Sequence, residues 1–394
     1  MPELSPAAAD LVERIRALVP QLAAEAPEAE RLRRPTDAAM RALAEAGFFR
    51  LMVPRCFGGL ELDLDAFLEA GLALGEADAS LAWVACFCVE HNWMLCQFPE
   101  SFQRALYAAG EPVLAPAVIA PSGRARKVEG GHRLSGRWQW GTGVMHASWV
   151  IAGGVVTPEP GATPGPASLR FFALPIEEVK VEDTWYVDGM VGTGSNDIVI
   201  EDAFVPEDRS VAIVDLVEGR GHGARLHEGG LYRTPMIPIL LLAASMPIVG
   251  QARAALRGLT ERLKTHVRLG AAPLRQAEKP ASQIRLAQAA LELRQVELVL
   301  RDVVSEVCTL RNGATPLQRA RWASALAHAL HQARGVIQQV SEASGAGAHF
   351  QQHPLQRALR DANVASCHVA FDLDAQRQLY GRLLLGLEPG GGLY

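Results

Sequence analysis

The segment RWQWGTGVMHASW (137–149) sets Trp138 and Trp140 just ahead of the run Gly141, Thr142, Gly143. In an extended strand residues two apart share a face, so both indoles are expected on one side. Two readings are open: plain core packing, or an aromatic wall leading to exposed backbone N–H groups and one small hydroxyl. The second suits a planar heterocycle such as a flavin. A further small-residue cluster, GMVGTGSNDIVIED (189–202), puts Gly192, Gly194 and Ser195 before a strand, permitting either a plain tight turn or close approach of backbone to a ligand.

Two histidines and an arginine invite chemistry. His91, in VEHNWML, ends the most apolar helical stretch and is either a satisfied core histidine or a cavity group. RDANVASCHVAFD places Arg360, Asp361 and His368 on one expected helix, where positions seven apart share a face about two turns from each other. A local ion pair of Asp361 with Arg357 would leave His368 to face a pocket. Arg233, in LYRTPMIP, precedes a break into a greasy helix; it is a solvated head or, beside a cofactor, a stabiliser of developing negative charge.

Other chemistries lack their signatures. There is no GxGxxG opening a βαβ unit, no GxxxxGK[ST], no HExxH and no GxSxG. The six cysteines, at 56, 86, 88, 96, 308 and 367, show no zinc spacing. Reduced thiols are expected, with Cys86 and Cys88 as small core hydrophobes.

The elements that must position these groups change texture twice. From Ser5 to about Tyr107 the pattern is helical, with Thr36 as an expected N-cap and a break around Asp78–Ser80. From about 112 to 211, short β-branched and aromatic runs separated by Gly, Pro and Asp read as a β domain, a barrel or sandwich, with 157–167 as a loop. Four long amphipathic segments then follow, matching an antiparallel bundle. At 394 residues two or three cooperating domains are expected. The net charge of -5 offers nothing to recruit nucleic acid. The N-terminal stretch lacks the uninterrupted apolar core of a signal peptide, and the greasy run 235–250 is short for a membrane span and broken by Pro238 and Pro247. A cytoplasmic protein with no membrane partner is the expectation.

Taken together and in order, ALAEAGFFRLMVPRCFGG, SLAWVACFCVEHNW, SGRWQWGTGVMHASWVIAGG, DGMVGTGSNDIVIEDAFVP, LYRTPMIP, SQIRLAQAALEL and HPLQRALRDANVASCH give a resemblance spanning nearly the whole chain. The chain resembles the flavin-dependent monooxygenase branch of the acyl-CoA dehydrogenase superfamily, particularly oxygenases that hydroxylate p-hydroxyphenylacetate or a phenolic steroid-degradation intermediate. The resemblance implies an α+β chain of the acyl-CoA dehydrogenase fold: an N-terminal helical domain (1–110), a central β domain (111–225) and a C-terminal four-helix bundle (226–394) that assembles into homotetramers. It implies reduced FMN or reduced FAD delivered by a separate NAD(P)H-dependent flavin reductase, O2 as cosubstrate, and a small aromatic, phenolic substrate.

The resemblance also implies site roles. His368 matches the histidine of the family's RDxxxxxxH helix and would deprotonate the phenol or steady the activated oxygen, given a near-neutral pKa. His91 matches the histidine of the HNW segment and would line the same cavity; Arg233 would lie near the reactive edge of the flavin. Thr142 falls where relatives carry serine near flavin N5, in a GTG that replaces the more usual SSG. Thr193, Gly194 and Ser195 would form the flavin-adjacent turn, Trp140 and Gly141 would shape the ring site, and Gln283 and Arg285 would reach a neighbouring subunit's cofactor. The competing enzyme reading is an acyl-CoA dehydrogenase, which needs a catalytic carboxylate late in the chain, where only Glu342 offers itself. N- or S-oxygenation and a catalytically silent scaffold complete the alternatives.

Overall fold

The computed structural model describes residues 4–157, 165–265, 267–268 and 274–390, so most of the expected 157–167 loop lies outside the described residues. The chain opens with α1 (Pro6–Leu32), α2 (Asp37–Glu45), α3 (Leu64–Gly75), α4 (Ala79–Leu95) and α5 (Glu100–Tyr107). Thr36 caps α2 by accepting the Ala39 amide at 3.1 Å. Asp78 caps α4 by accepting the Leu81 amide at 2.9 Å, which is why the apolar stretch divides there. Every residue of α4 is buried, as its all-round apolar sequence requires.

The strands are β1 (Ala117–Val128), β2 (Gly131–Gly141), β3 (Trp149–Val156), β4 (Leu169–Pro175), β5 (Lys180–Glu182), β6 (Asn196–Pro206) and β7 (Ser210–Ala212). They form one seven-stranded sheet in the order β5-β6-β2-β1-β3-β4-β7, rather than the two sheets of a sandwich. Only β1 and β3 run parallel; the other pairs are antiparallel. Both faces are covered at the centre. In β4, Phe171 and Ala173 pack into the helical core while Phe172 and Leu174 join Trp138 and Ile198 in a second cluster on the opposite face. A strand buried on two sides reads as a continuous apolar run, which is why FFAL shows no alternation.

After two short helices, α6 (Ile213–Val217) and α7 (Gly223–Leu226), the chain enters α8 (Met236–Thr265), α9 (Pro280–Leu310) and α10 (Pro316–Ser344). The apolar first half of α8 is continuously buried from Met236 to Ala252; long and apolar enough to cross a bilayer, it is instead a core helix. The fourth expected bundle helix is broken in two, α11 (Pro354–Ala365) and α12 (Leu373–Leu384). Local side-chain bonds compete with the helix at the break: Ser366 Oγ donates to the Asn363 carbonyl at 2.8 Å, and Asp372 accepts the Asp374 and Ala375 amides at 3.0 Å. His368 therefore sits in a bend between helices, and the shared helical face expected for Asp361 and His368 does not exist.

Candidate active site

The strand pattern around the tryptophans is interrupted. A register shift lies between Trp138 and Gly141, and Trp140 adopts a left-handed backbone with φ of +72°. The bulge separates the two indoles. Trp138 is fully buried, its Nε1 donating to the Gly153 carbonyl at 2.7 Å, whereas Trp140 is 59% exposed. The expectation of one common face is corrected accordingly: Trp138 is core and Trp140 borders a cavity.

That cavity, about 260 Å³, lies where three parts of the chain meet. The end of β2 contributes Trp140 and Thr142, the turn before β6 contributes Thr193 and Ser195, α4 contributes Trp83, and the bend after α11 contributes Cys367 and His368. Trp185 and Met190 complete an apolar wall, and no carboxylate, lysine or arginine is among the lining residues. The polar edge is a row of hydroxyls. Thr142 Oγ1 lies 3.1 Å from Ser195 Oγ, Ser195 Oγ lies 2.8 Å from Thr193 Oγ1, and Thr193 donates to the Met190 carbonyl at 2.9 Å. Gly194, at φ +56°, makes the turn that brings Thr193 and Ser195 together. Gly141 pairs with Asn196 and so ties the end of β2 to the start of β6.

His368 presents its ring to the cavity edge-on to Trp83, with centroids 5.8 Å apart. Its Nδ1 accepts the Ala370 amide at 3.2 Å. In a neutral imidazole that leaves the hydrogen on Nε2, so the ring offers a donor. Burial pushes its pKa down to about 4, in place of the near-neutral value expected for a proton shuttle.

His91 lies further along α4, at the end of an aromatic row in which Trp83 meets Phe87 at 5.1 Å and Phe87 meets His91 at 5.5 Å. It is wholly buried. Its Nδ1 is 2.6 Å from the Ala115 carbonyl, its Nε2 is 3.2 Å from Glu90 Oε2, and burial lowers its pKa to about 3. Arg233 is not among the cavity residues; it donates to the Glu228 carbonyl at 3.3 Å in the short turn before α8. Trp93 Nε1 donates to the Leu231 carbonyl, which places that turn at the opposite end of α4 from Trp83. Gln283 and Arg285 are exposed at the start of α9, Gln283 donating to the Ala277 carbonyl at 2.9 Å. The structure thus brings Trp140, Thr142, Thr193, Ser195 and His368 to one cavity and leaves His91, Arg233, Gln283 and Arg285 outside its lining.

Sequence reasoning missed how Asp361 is used. Arg357 pairs with Asp78 at 3.3 Å and approaches Glu30 at 4.0 Å, while Asp361 Oδ1 accepts the Met190 amide at 2.5 Å. The expected Arg357–Asp361 pair is replaced because α11 packs its Asp361 side against the 189–195 turn. Arg360 Nη1 donates to the Asp188 carbonyl at 2.6 Å, a second tie between the same elements. Trp83 and Trp185 also went unnoticed in the sequence, since a lone tryptophan, whether in the apolar α4 or in the loop between β5 and β6, carries no signal of facing a cavity.

Flat aromatic walls around one hydroxyl edge fit a planar heterocycle with polar atoms along one side. The acyl-CoA dehydrogenase N-terminal domain matches residues 5–107 and the acyl-CoA dehydrogenase C-terminal domain matches residues 242–373. The chain is 33% identical over 379 residues to the flavin-dependent monooxygenase oxygenase subunit HsaA of Rhodococcus jostii, covering 95% of this chain and 98% of that one. It is 31% identical to the oxygenase component of the FADH2-dependent resorcinol hydroxylase of a Rhizobium species, covering 97% and 95% respectively. The crystal structure of the HsaA monooxygenase from Mycobacterium tuberculosis superposes with a TM-score of 0.91 at 31% identity, over 98% of this chain and all of that one. The chain belongs to the acyl-CoA dehydrogenase family and, within it, to the flavin-dependent monooxygenases that work with reduced flavin and O2.

Proposed function

We propose that this chain is the oxygenase component of a two-component system that hydroxylates a small, uncharged phenol. It would receive reduced FMN or reduced FAD from a separate NAD(P)H-dependent reductase, in keeping with relatives named as oxygenase subunits or components. The observation that carries the reading is the cavity itself. A neutral imidazole donor and a hydroxyl edge face an otherwise apolar, tryptophan-lined space without a single formal charge.

Reduced flavin supplies the electrons that activate O2, one oxygen atom going to the substrate ring and the other to water. The chain's own residues bind, orient and exclude water. Trp140, Thr142, Thr193 and Ser195 hold the heterocycle, with Gly141 and Gly194 fixing the backbone on either side. Trp83 and Trp185 keep water away from the reacting edge, where a dry site favours productive transfer over decomposition. His368 donates from Nε2 to the phenol oxygen, favouring negative charge there and enriching the ring in electrons. It acts as a donor; serving as a base at Nε2 would require it to give up the Ala370 hydrogen bond and change tautomer.

Acyl-CoA dehydrogenation finds no base here. Glu342 is exposed on α10, where its Oε1 accepts from Gln338 at 2.8 Å, and the cavity holds no carboxylate. Self-association as a homotetramer is supported by Ile284, Leu291 and Leu298, exposed at seven-residue intervals on one face of α9 beside Gln283 and Arg285. The test is turnover of phenol, resorcinol and a phenol bearing a carboxylate, with reduced flavin supplied chemically. Hydroxylated product from the neutral phenols supports the reading; flavin oxidation with no product from any of them overturns it.

A further inference from the structure

The segment 183–190 joins β5 to the turn before β6 without a helix or strand of its own, yet it carries Trp185, Val187 and Met190, three of the groups that line the cavity. A segment with no backbone ladder keeps its place only where neighbours hold it. Asn196 Oδ1 accepts the Thr184 and Trp185 amides at 2.9 and 3.0 Å, and at the far end Arg360 donates to the Asp188 carbonyl. The near end is held from the helical domain by Arg33, the left-handed residue at φ +54° that closes α1. Its two Nη atoms donate to the two oxygens of Asp183 at 2.7 and 2.9 Å, and Nη1 also reaches the Trp185 carbonyl at 3.3 Å. The same guanidinium lies 4.1 Å from the centre of the Tyr186 ring, whose hydroxyl donates to Asp183 Oδ2 at 2.7 Å. A planar fork that binds a carboxylate edge-on and an aromatic ring face-on is a combination lysine does not offer.

Arg33 touches the other side of the site as well. Its own carbonyl lies against Gly194, where an added Cβ would come within 2.8 Å of it. The end of α1 thus sets the loop that carries Trp185 in register with the turn that carries Thr193 and Ser195. An ion pair as open to solvent as this one, with side chains 32% and 57% exposed, adds little to global stability, so its consequence is placement.

We infer that Arg33 is a positioning residue for the hydroxylation: by clamping Asp183 and Tyr186 it holds the Trp185 wall closed, and so decides how much of the reduced flavin consumed ends as hydroxylated product and how much as hydrogen peroxide. The inference rests on the water-excluding role proposed above for Trp185. With the wall in place, reduced flavin and O2 give one hydroxylated ring and one water; with the wall displaced, the same two electrons and two protons leave with O2 as H2O2.

The test compares the full-length native protein with Arg33→Ala, Arg33→Lys and Asp183→Asn by two readouts. Hydrogen exchange across 183–190, followed by mass spectrometry without flavin, should speed up about tenfold in Arg33→Ala and in Asp183→Asn while the melting temperature stays near the native value. Hydroxylated product per reduced flavin consumed, measured with a neutral phenol, should fall about threefold or more in both, the missing share appearing as peroxide. Arg33→Lys, which keeps the charge and loses the fork, should lie between the native protein and Arg33→Ala. The double variant of Arg33→Ala with Asp183→Asn should be no worse than either single change, because both remove one contact. Asp183→Asn and Arg33→Lys keep the test decisive should Arg33→Ala fail to fold. Unchanged exchange in 183–190 would overturn the clamp, and faster exchange with undiminished product yield would overturn its role in the reaction. A native chain that hydroxylates no phenol would defeat the function proposed above and the role in product yield with it, while exchange would still decide whether Arg33 holds the wall.

Discussion

Glu90 Oε2 lies 3.2 Å from Nε2 of His91 in the middle of α4, where neither side chain reaches solvent. Neither oxygen of Glu90 makes a hydrogen bond, and burial raises its carboxyl to a pKa of about 8. His91 is held neutral by the same burial. The pair is thus kept uncharged by its depth in the core.

Stability should therefore fall as pH rises from the acidic range to about 8, for a definite reason. Below the ordinary carboxylate value of 4.5 Glu90 is protonated folded or unfolded. As pH rises from there toward 8 the unfolded chain releases the proton and the folded chain keeps it, a loss of roughly 1.4 kcal/mol per pH unit for one group. Glu90→Gln should flatten the fall in Tm between pH 5 and 8 by about one proton's share. Asp361, raised to about 8 by burial and by Asp78, leaves a residual slope. Parallel Tm profiles for the two proteins would show that Glu90 is ionised in the folded chain.

His368 should leave no ionisation of its own in kcat/KM between pH 5 and 8, because burial holds it neutral down to about 4. Its acidic limb runs the other way. Below the ordinary histidine value the unfolded chain gains a proton that the folded ring refuses, so the fold weakens as pH falls toward 4. His368→Ala should lower kcat by about a hundredfold or more, the usual effect of removing one preorganised donor. His368→Gln, which keeps an N–H donor, should retain more activity. Equal losses in both, or a pH limb near 6.5 that disappears with the histidine, would mark it as a base.

Gly189 lies against α11 so closely that an added Cβ would overlap the Arg360 carbonyl. Gly189→Ala must push the 189–195 turn away from the helix, since backbone cannot yield as a side-chain tip can. Flavin affinity should drop about tenfold and stability by about 1–3 kcal/mol. An unchanged affinity, measured by flavin fluorescence on a folded variant, would separate the turn from the ring.

Charge should decide among substrates. With no lysine or arginine among the lining residues, a ring carrying a carboxylate must be desolvated without a partner. Steady-state comparison should give a neutral phenol at least a tenfold advantage in kcat/KM over its carboxylate-bearing analogue. Preference for the anion would point to a cation reaching the substrate from elsewhere.

Much of this was legible in the residues and some was hidden for physical reasons. The Thr36 and Asp78 caps, the apolar α4 and the β-rich centre follow from local patterns. The bulge at Trp140 does not, because a left-handed tryptophan breaks the period-two rule that would place it beside Trp138. The bend at His368 contains neither proline nor glycine; the side-chain caps of Ser366, His368 and Asp372 mark it, and such residues also occur within helices. Asp361 has Arg357 four residues away, yet bonds the backbone of Met190 171 positions earlier in the chain, a pairing that tertiary packing alone creates.

The most direct measurement mixes the protein with anaerobically reduced FMN or FAD and a neutral phenol, then with 18O2, following flavin absorbance and product mass. The expected result is protein-dependent reoxidation kinetics, slower or multiphasic relative to free flavin, and one 18O atom in a hydroxylated product. Reoxidation at the free-flavin rate, with peroxide formed and no labelled product, would contradict it.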